Sequence, residues 1–274
     1  MKDTLARNLA RFRKEKGYTQ EELARQLGIS SQAVSKWETG HSLPDITLLP
    51  ALAELLETGT DALLGYQSGR TAVSIYEDAY RITKDYYWGT VPNAICYRVL
   101  ETMPPDRRLR LLDIGCGEGR DSVFFARNGY DVTAFDISEA GVEKTGKLAA
   151  AAGVPLRVFR ADIRDFRLEE PFDILFSSGV FNYIPPDLRQ EILGNYREHT
   201  RPGGLHVFNA FVEKPFIGPP PEKEDNAHPW YSGELIRHYR DWQIHESNEI
   251  IFDCNSMGIP HQHAMVQMIA EKVL

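Results

Sequence analysis

The chain has 274 residues, of which 42% are hydrophobic, 26% charged and 11% aromatic, a composition that excludes a disordered, collagen-like or low-complexity chain. Its length suits one large domain or two smaller ones. The 31 basic and 39 acidic residues give a net charge of −8, and this average argues against a dedicated nucleic-acid binder, because affinity for phosphates comes mostly from Lys and Arg.

The cysteines and the apolar runs bear on the cellular compartment. Cys96, Cys116 and Cys254 are odd in number and widely spaced, which favours neither a disulfide framework nor a CxxC metal site. The first residues, MKDTLARN, lack the apolar stretch of a signal peptide, and no run of about 18 apolar residues is present. We therefore expect a cytoplasmic protein without a membrane partner.

Residues 1–65 carry the pattern of short, successive helices. Thr19 is suited to cap the second helix, and Gly28 permits a left-handed turn before a third helix at about residues 31–38. Residues 1–40 hold eight basic and five acidic residues. This segment is therefore +3, whereas the remainder of the chain is −11, and the two parts are expected to have different partners.

The turn between the second and third helices resembles the Cro/repressor-type helix-turn-helix family, often called the Xre family. The resemblance covers about residues 4–65, with Thr19–Ala24 and Ser35–Glu38 in register. It implies that the third helix enters the major groove of double-stranded DNA and that a homodimer reads two half-sites. The alternative is a solvated polar helix face. The residues expected to contact DNA are Gln20, Ser31, Gln32, Ser35 and Lys36.

Residues 66–72 contain the predicted linker, and residues 73–274 follow a different pattern. Strand-like apolar runs alternate there with helical stretches, which predicts an α/β domain with a doubly wound, mostly parallel, Rossmann-like sheet. The predicted strands cover residues 109–114, 131–136, 156–161, 172–176 and 205–211.

A glycine-rich segment follows the first predicted strand of this domain. Gly115, Gly117 and Gly119 alternate directly after Asp113. A dinucleotide-binding loop would need its third glycine at position 120, which is Arg120. A carboxylate before the loop would also repel a pyrophosphate, whereas it suits a cationic amino group.

This DxGxGxG loop resembles that of the class I methyltransferases, which use S-adenosylmethionine. The resemblance implies that Asp136 accepts hydrogen bonds from both ribose hydroxyls, that Ile137 packs on the adenine, and that Ser178 lies under the methionine part. Asp162 and Ile163 would contact the adenine amino group and ring. The full set of predicted cofactor residues is Asp113, Gly115, Cys116, Gly117, Gly119, Asp136, Ile137, Asp162, Ile163, Ser178 and Trp88.

Several of these residues have structural alternatives. Asp113 and Asp136 can cap the helices that follow them, and Gly119 can permit close packing between a helix and a strand. Cys116 is expected to contribute a backbone amide rather than a reactive thiol. These alternatives do not explain three correctly spaced strand ends together, so the pattern favours a methyltransferase.

Two segments outside the strands are candidates for covering the cofactor. Trp88 is expected either to anchor the core or to lie over the sulfonium, since aromatic faces attract cations. Residues 215–233 form a long loop that we predict to be a lid. With the ending at residues 258–272, the domain resembles the tellurite-resistance methyltransferases of the TehB type over about residues 76–272.

The methyl acceptor is expected to be a small molecule rather than a nucleic acid. Ser177–Val180 lacks the [DNS]PP[YFW] tetrad that marks methylases of amino groups on flipped bases. The candidate catalytic residues are His261, His263, Tyr183 and Asn182. The two histidines face one side of a strand and can bind an anion, act as a base, ligate a metal or be structural. Two ligands do not make a zinc site, so no metal is predicted.

Two functions remain open at this point. One is a small-molecule methyltransferase with a DNA-binding domain that regulates transcription. The other is a transcriptional regulator whose methyltransferase-like domain only senses S-adenosylmethionine or a metabolite, in which case the coupling between ligand and DNA must be reciprocal.

Overall fold

The computed structural model describes residues 2–64, 72–218, 227–254 and 260–273. The chain divides into two compact units, Met1–Arg70 and Thr71–Leu274. This division falls within the predicted linker, nearly all of which lies outside the described residues. No helix in the described part of the chain has the length and apolarity needed to cross a membrane.

The described part of the smaller unit, residues 2–64, consists of short helices joined by turns, as its sequence predicts. Thr19 caps the second helix in a capping box with Glu22, and Gly28 ends that helix at a φ of +67°. Apolar side chains from successive helices, including Leu9, Leu23 and Val34, form its core and are fully buried. Its helices are α1 (Lys2–Glu15), α2 (Gln20–Leu27), α3 (Ser31–Glu38), α4 (Leu49–Leu55) and α5 (Thr60–Leu64), with a 3-10 turn at Ile46–Leu48.

The larger unit contains a seven-stranded sheet in the order β3-β2-β1-β4-β5-β7-β6. The strands β1 to β5 are parallel to one another, while β7 runs antiparallel to both β5 and β6. The strands are β1 (Arg110–Ile114), β2 (Asp131–Asp136), β3 (Arg157–Arg160), β4 (Phe172–Ser178), β5 (Thr200–Phe211), β6 (Gln243–Cys254) and β7 (His261–Glu271).

Helices pack against both faces of this sheet, which gives the doubly wound arrangement expected from the sequence. The central strand β4 is buried on both faces, since Ile174, Leu175 and Phe176 are all fully buried. The helices of the unit are α6 (Ala72–Ile82), α7 (Ile95–Thr102), α8 (Arg120–Arg127), α9 (Glu139–Ala152), α10 (Pro186–Glu198) and α11 (Glu234–Arg237), with a 3-10 turn at Phe181–Tyr183.

The loop predicted as a lid over residues 215–233 is partly a fixed structural element. Trp230 is fully buried, and its indole Nε1 donates to the carbonyl of Phe181 at 3.0 Å. The backbone nitrogen of His228 donates to the carbonyl of Asn182 at 2.6 Å. The end of the loop is therefore anchored to the 3-10 turn. Residues 219–226, which include the three consecutive prolines at 219–221, lie outside the described residues.

Candidate functional site

A cavity of about 920 Å³ opens in the larger unit at the carboxyl ends of the parallel strands. This is the edge of the sheet where the strand order reverses between β1 and its neighbours β2 and β4, the position at which open α/β sheets bind ligands. The predicted site residues that line it are Trp88, Asp113, Gly115, Cys116, Gly117, Asp136, Ile137, Asp162, Ile163, Ser178, Asn182, Tyr183 and His263.

The cavity has two sides, built from different parts of the sheet. The parallel side comprises the ends of β1 to β4 with their loops. The hairpin side comprises the end of β5, the β6–β7 pair and the 3-10 turn at Phe181–Tyr183. The two sides differ in which of their residues were predictable from the sequence.

The glycine loop is the tightest part of the parallel side. The backbone nitrogens of Gly115 and Cys116 both donate to the carbonyl of Phe135, at 2.9 and 3.0 Å. Gly115 has a φ of +75°, and a Cβ there would lie 2.2 Å from a methyl group of Val180. A side chain at this position is therefore excluded both by the backbone conformation and by space.

Gly119 does not line the cavity, contrary to its prediction as a cofactor contact. It has a φ of +86°, and a Cβ there would lie 2.7 Å from the side chain of Thr145 on α9. The Thr145 hydroxyl donates to the carbonyl of Gly117 at 3.1 Å. Gly119 thus lets the start of α8 approach α9, a packing role between two helices rather than the helix–strand packing that the sequence left as an alternative.

Asp136 braces the glycine loop from the end of β2. One carboxylate oxygen accepts from the backbone nitrogen of Gly117 at 2.8 Å, and the other accepts from that of Ser138 at 2.9 Å. Burial raises the pKa of Asp136, and these backbone hydrogen bonds oppose that rise. Each oxygen keeps a further lone pair, so the carboxylate can accept two ligand hydroxyls without losing its structural contacts.

Asp113 is a buried acid at the end of β1. Its carboxyl accepts a 2.5 Å hydrogen bond from the hydroxyl of Ser122. Burial, together with the nearby negative charge of Asp121, raises the pKa of Asp113 to about 8. At neutral pH this carboxyl is therefore mostly protonated, and a cationic ligand group beside it would restore the charged form.

Asp162 is held by its own turn. Burial raises the pKa of Asp162, but hydrogen bonds from the backbone nitrogen and guanidinium of Arg164 lower it overall. The backbone contact is 2.9 Å and the shortest guanidinium contact is 2.5 Å. The predicted contact of Asp162 with an adenine amino group therefore has to be shared with Arg164. The neighbouring Ile163 is buried in the cavity wall.

Aromatic side chains form one wall of the cavity. Trp88 is 44% exposed, and its indole nitrogen donates to the hydroxyl of Tyr80 at 3.1 Å. Tyr76 and Tyr87 pack on Trp88 with ring centroids 6.1 and 4.8 Å away. Of these aromatic residues, only Trp88 is among the cofactor contacts predicted from the sequence. Tyr76 and Tyr80 stand four residues apart on α6, a spacing that does not distinguish a binding wall from a core face.

Ser178 and Asn93 join the two sides of the cavity. The side-chain nitrogen of Asn93 donates to the Ser178 hydroxyl at 3.1 Å, and the backbone nitrogen of Asn93 donates to Asp121 at 2.7 Å. Asn209 on β5 also donates to Ser178, at 3.4 Å. Asn93 was not predicted as a site residue, because it lies in an irregular segment far from the strand ends in sequence.

The hairpin side carries the residues predicted to be catalytic. Asn182 is buried, and its side-chain oxygen has no hydrogen-bond partner among the described residues. The ring of His263 packs against Phe211 and Phe252, with centroids 4.9 and 5.7 Å away, and these two rings also contact each other. The cavity wall includes Tyr183 and His263 but not His261. Of the two candidate catalytic histidines, His263 therefore lines the cavity and His261 does not.

The helix-turn-helix surface lies in the smaller unit. Gln32 and Lys36 on α3 are exposed, whereas Ser31 and Ser35 are half-buried. Gln20 donates its side-chain amide to Glu38 at 2.8 Å, and Glu38 is paired with the buried guanidinium of Arg13. A phosphate contact by the Gln20 amide therefore competes with this internal hydrogen bond.

Comparisons with known proteins match both units. The family described as "Tellurite resistance protein TehB" matches residues 75–258, and a helix-turn-helix family matches residues 9–63. Hemagglutinin 1 of Eikenella corrodens is 30% identical over 186 residues, which cover 67% of this chain and 60% of that protein.

A second relative is a probable S-adenosyl-L-methionine-dependent methyltransferase TehB of Haemophilus influenzae, strain ATCC 51907. It is 29% identical over 140 residues, 51% of this chain and 48% of that protein. The crystal structure of TehB from Haemophilus influenzae superposes with a TM-score of 0.61 at 24% identity, covering 68% of this chain and 64% of that one. The chain thus spans about half to three-fifths of the length of these curated relatives.

Proposed function

Because this chain belongs to the TehB tellurite-resistance family, we propose that its larger unit is a methyltransferase that moves a methyl group from S-adenosylmethionine to a small molecule. The smaller unit binds double-stranded DNA and regulates transcription. The observation that carries the enzyme proposal is the cavity at the strand ends, which brings Asp113, Asp136 and the Gly115 loop together.

The residues of the parallel side fit this cofactor group by group. Asp136 keeps lone pairs for the two ribose hydroxyls while it holds the loop. Asp113, whose pKa is raised by burial, gains a cationic partner from the amino group. Trp88 and its aromatic neighbours offer ring faces to a sulfonium. Because residue 115 is a glycine, no side chain of the loop enters the space next to Val180.

The chain's task in the reaction is alignment. S-Adenosylmethionine supplies a methyl group that is already activated by the positive sulfur. The parallel side fixes one reactant, and the hairpin side orients the acceptor through Asn182, Tyr183 and His263. Positioning of this kind contributes on the order of 7–11 kcal/mol to a bimolecular step. A general base is needed only when the acceptor must lose a proton.

The DNA-binding proposal rests on the exposed side chains of α3. Gln32 and Lys36 are presented to solvent by a helix whose inner face is fixed by Val34 and Trp37. Lys36 is the only basic residue of this helix, so one copy binds weakly and a homodimer on two half-sites is required. We infer a cytoplasmic location, where DNA is accessible and the cysteine thiols stay reduced.

The direct test of the enzyme proposal is turnover. Purified full-length protein is incubated with S-adenosylmethionine and a panel of thiols, oxyanions, phenols and amines, and S-adenosylhomocysteine is quantified. At least one class is expected to give product. If S-adenosylhomocysteine binds but no class turns over, the sensor function replaces the enzyme function.

The DNA-binding proposal is tested by removing the two exposed side chains. Gln32→Ala with Lys36→Ala is expected to weaken DNA binding and to reduce the salt slope by about one. Lys147→Ala, an exposed lysine of the larger unit, is the control for loss of one positive charge. Equal binding by the double variant and the control in fluorescence anisotropy would refute the assignment of α3.

A further inference from the structure

The hairpin side contains a cluster of metal-ligating side chains that the sequence did not reveal. One ligand atom each from Cys254, His261 and His263 lies within 4.8 Å of the others. Cys254 ends β6 and is paired directly with His261 at the start of β7. Residues opposite each other in an antiparallel pair project to the same face, and so do residues two apart on one strand.

The spacing of these ligand atoms suits a small divalent ion. Tetrahedral zinc with bonds of about 2.0–2.1 Å to nitrogen and about 2.3 Å to sulfur places its ligand atoms about 3.3–3.6 Å apart. The Nε2 atoms of His261 and His263 lie 2.8 Å apart and share one hydrogen. To reach the coordinated arrangement, the two Nε2 atoms must separate by about half an ångström, and the widest pair of ligand atoms, which lie within 4.8 Å, must close by at most about 1.2 Å. Each ring must also carry its proton on Nδ1.

The surroundings restrict how the histidines can move. Phe211 and Phe252 both pack against the His263 ring and against each other, and the β6–β7 ladder fixes the three backbone positions. All three ligand residues are partly exposed, so an ion can enter. Cys254 and His263 both line the cavity, so an ion held by them borders the space assigned to the methyl acceptor.

We propose that Cys254, His261 and His263 bind one zinc-class divalent ion, whose remaining coordination position takes the methyl acceptor as a thiolate. Three protein ligands with one open position are typical of catalytic rather than structural zinc sites. A set with one thiolate and two imidazoles prefers zinc or another borderline ion over magnesium or calcium. The acceptor part of this inference rests on the proposed methyltransferase function.

The proposed methyl transfer needs no reactant other than the thiol and S-adenosylmethionine. A thiol that coordinates the ion loses its proton to solvent, since metal coordination deprotonates thiols. The thiolate sulfur then forms a bond to the methyl carbon of S-adenosylmethionine, and the bond from that carbon to the positive sulfur breaks. The bonding electron pair stays on the sulfur of S-adenosylhomocysteine, so no oxidant or reductant is consumed.

Metal binding is tested first, with a readout that does not depend on activity. The full-length protein is treated with EDTA, dialysed and titrated with Co²⁺, whose thiolate charge-transfer band reports coordination by cysteine. One equivalent is expected to bind and to be displaced by Zn²⁺. Absence of the band, or an unchanged band in Cys254→Ser, overturns the site.

Histidine variants test the other two ligands. His261→Gln and His263→Gln are each expected to weaken Co²⁺ binding by more than the 10–100-fold that loss of an outer-shell partner costs. His245→Gln is the matched control, because His245 lies on β6 in the same hairpin but pairs with Glu271. Equal weakening in the control would mean that the effect is general and would overturn the assignment.

The acceptor role is separated from the cofactor proposal by two measurements on the same samples. S-Adenosylhomocysteine binding is expected to be unchanged by EDTA and by Cys254→Ser, whereas methylation of thiols is expected to fall at least tenfold in both. Thiol methylation that persists in both samples overturns the acceptor role. If Co²⁺ binds but S-adenosylhomocysteine does not, the cofactor proposal fails while the metal site stands.

Discussion

The two sides of the cavity are built from one sheet but differ in how their sequence encodes them. On the parallel side, each functional residue stands directly after a buried strand, as Asp113 follows the apolar residues of β1. On the hairpin side, Cys254 ends a strand whose side chains are mostly exposed. Contacts there depend on which strands pair, so proximity arises from register rather than from spacing along the chain.

The largest expected effect on cofactor affinity comes from Gly115, on the parallel side. Gly115→Ala is expected to lower the affinity for S-adenosylhomocysteine by about 100-fold or more, because the added Cβ meets Val180 at 2.2 Å and the positive φ adds strain of about 1–3 kcal/mol. Titration calorimetry measures the loss. The double variant Gly115→Ala/Val180→Ala is expected to recover part of it.

The matched control for this substitution is Gly146→Ala on α9. A Cβ at Gly146 would have no heavy atom within 4 Å, so binding is expected to stay unchanged while stability rises by about 0.4–1 kcal/mol. Wild-type affinity in Gly115→Ala would contradict the placement of the cofactor on this loop.

The second-largest expected effect is a change of cofactor affinity with pH, caused by Asp113 on the parallel side. The pKa of Asp113 is about 8, so below that pH binding of a cationic amino group must expel a proton from the carboxyl. Affinity for S-adenosylhomocysteine is therefore expected to rise with pH, by at most about tenfold per unit, and to level off above about pH 8. Calorimetry in buffers of different ionisation enthalpy also measures the released proton.

The free energy of unfolding is expected to change with pH in the opposite direction to the cofactor affinity. A carboxyl whose pKa is raised in the folded state contributes stability below its ordinary pKa, and this contribution is lost as the pH rises through about 8. Asp113→Asn is expected to flatten both profiles. Asp121 and Asp136 also have raised pKa values, chiefly because of burial, so a slope that survives in Asp113→Asn would assign it to one of them.

The sequence anticipates the parallel side better than the rest of the larger unit. The predicted strand at residues 131–136 coincides with β2, because apolar residues and a terminal carboxylate mark its ends. In contrast, β6 was not predicted, since an exposed edge strand lacks the apolar alternation that reveals strands. Without β6 the sequence could not place Cys254 beside His261, and the two histidines alone did not indicate a metal site.

For the smaller unit, the net charge read from the sequence depends on where the unit is taken to end. A cut at residue 40 gives +3, but the unit as folded, Met1–Arg70, contains nine basic and nine acidic residues and is neutral. Four of these charges form two ion pairs, the buried pair of Arg13 with Glu38 and the more exposed pair of Lys16 with Glu57. Attraction to DNA therefore depends on where Lys36 and Gln32 are presented rather than on an overall positive charge.

The smallest expected effect on cofactor affinity comes from Asn182 on the hairpin side. Asn182→Ala is expected to change the affinity for S-adenosylhomocysteine by less than about twofold, because the parallel side supplies the cofactor contacts. The KM for the acceptor is expected to rise about 3–10-fold, since the buried side-chain oxygen, which has no partner among the described residues, loses a hydrogen bond of about 0.5–1.5 kcal/mol to the acceptor.

Steady-state kinetics with the acceptor that turns over fastest measures this split between KM and cofactor affinity. Asn248→Ala, an exposed asparagine of β6 that bonds Glu246, is the control and should leave both quantities unchanged. A large loss of S-adenosylhomocysteine affinity in Asn182→Ala would move Asn182 to the cofactor. The boundary between the two sides of the cavity would then lie within the 3-10 turn at Phe181–Tyr183 rather than beside it. This turn follows β4 in the chain and is hydrogen-bonded to the loop at Trp230, so it contacts both sides.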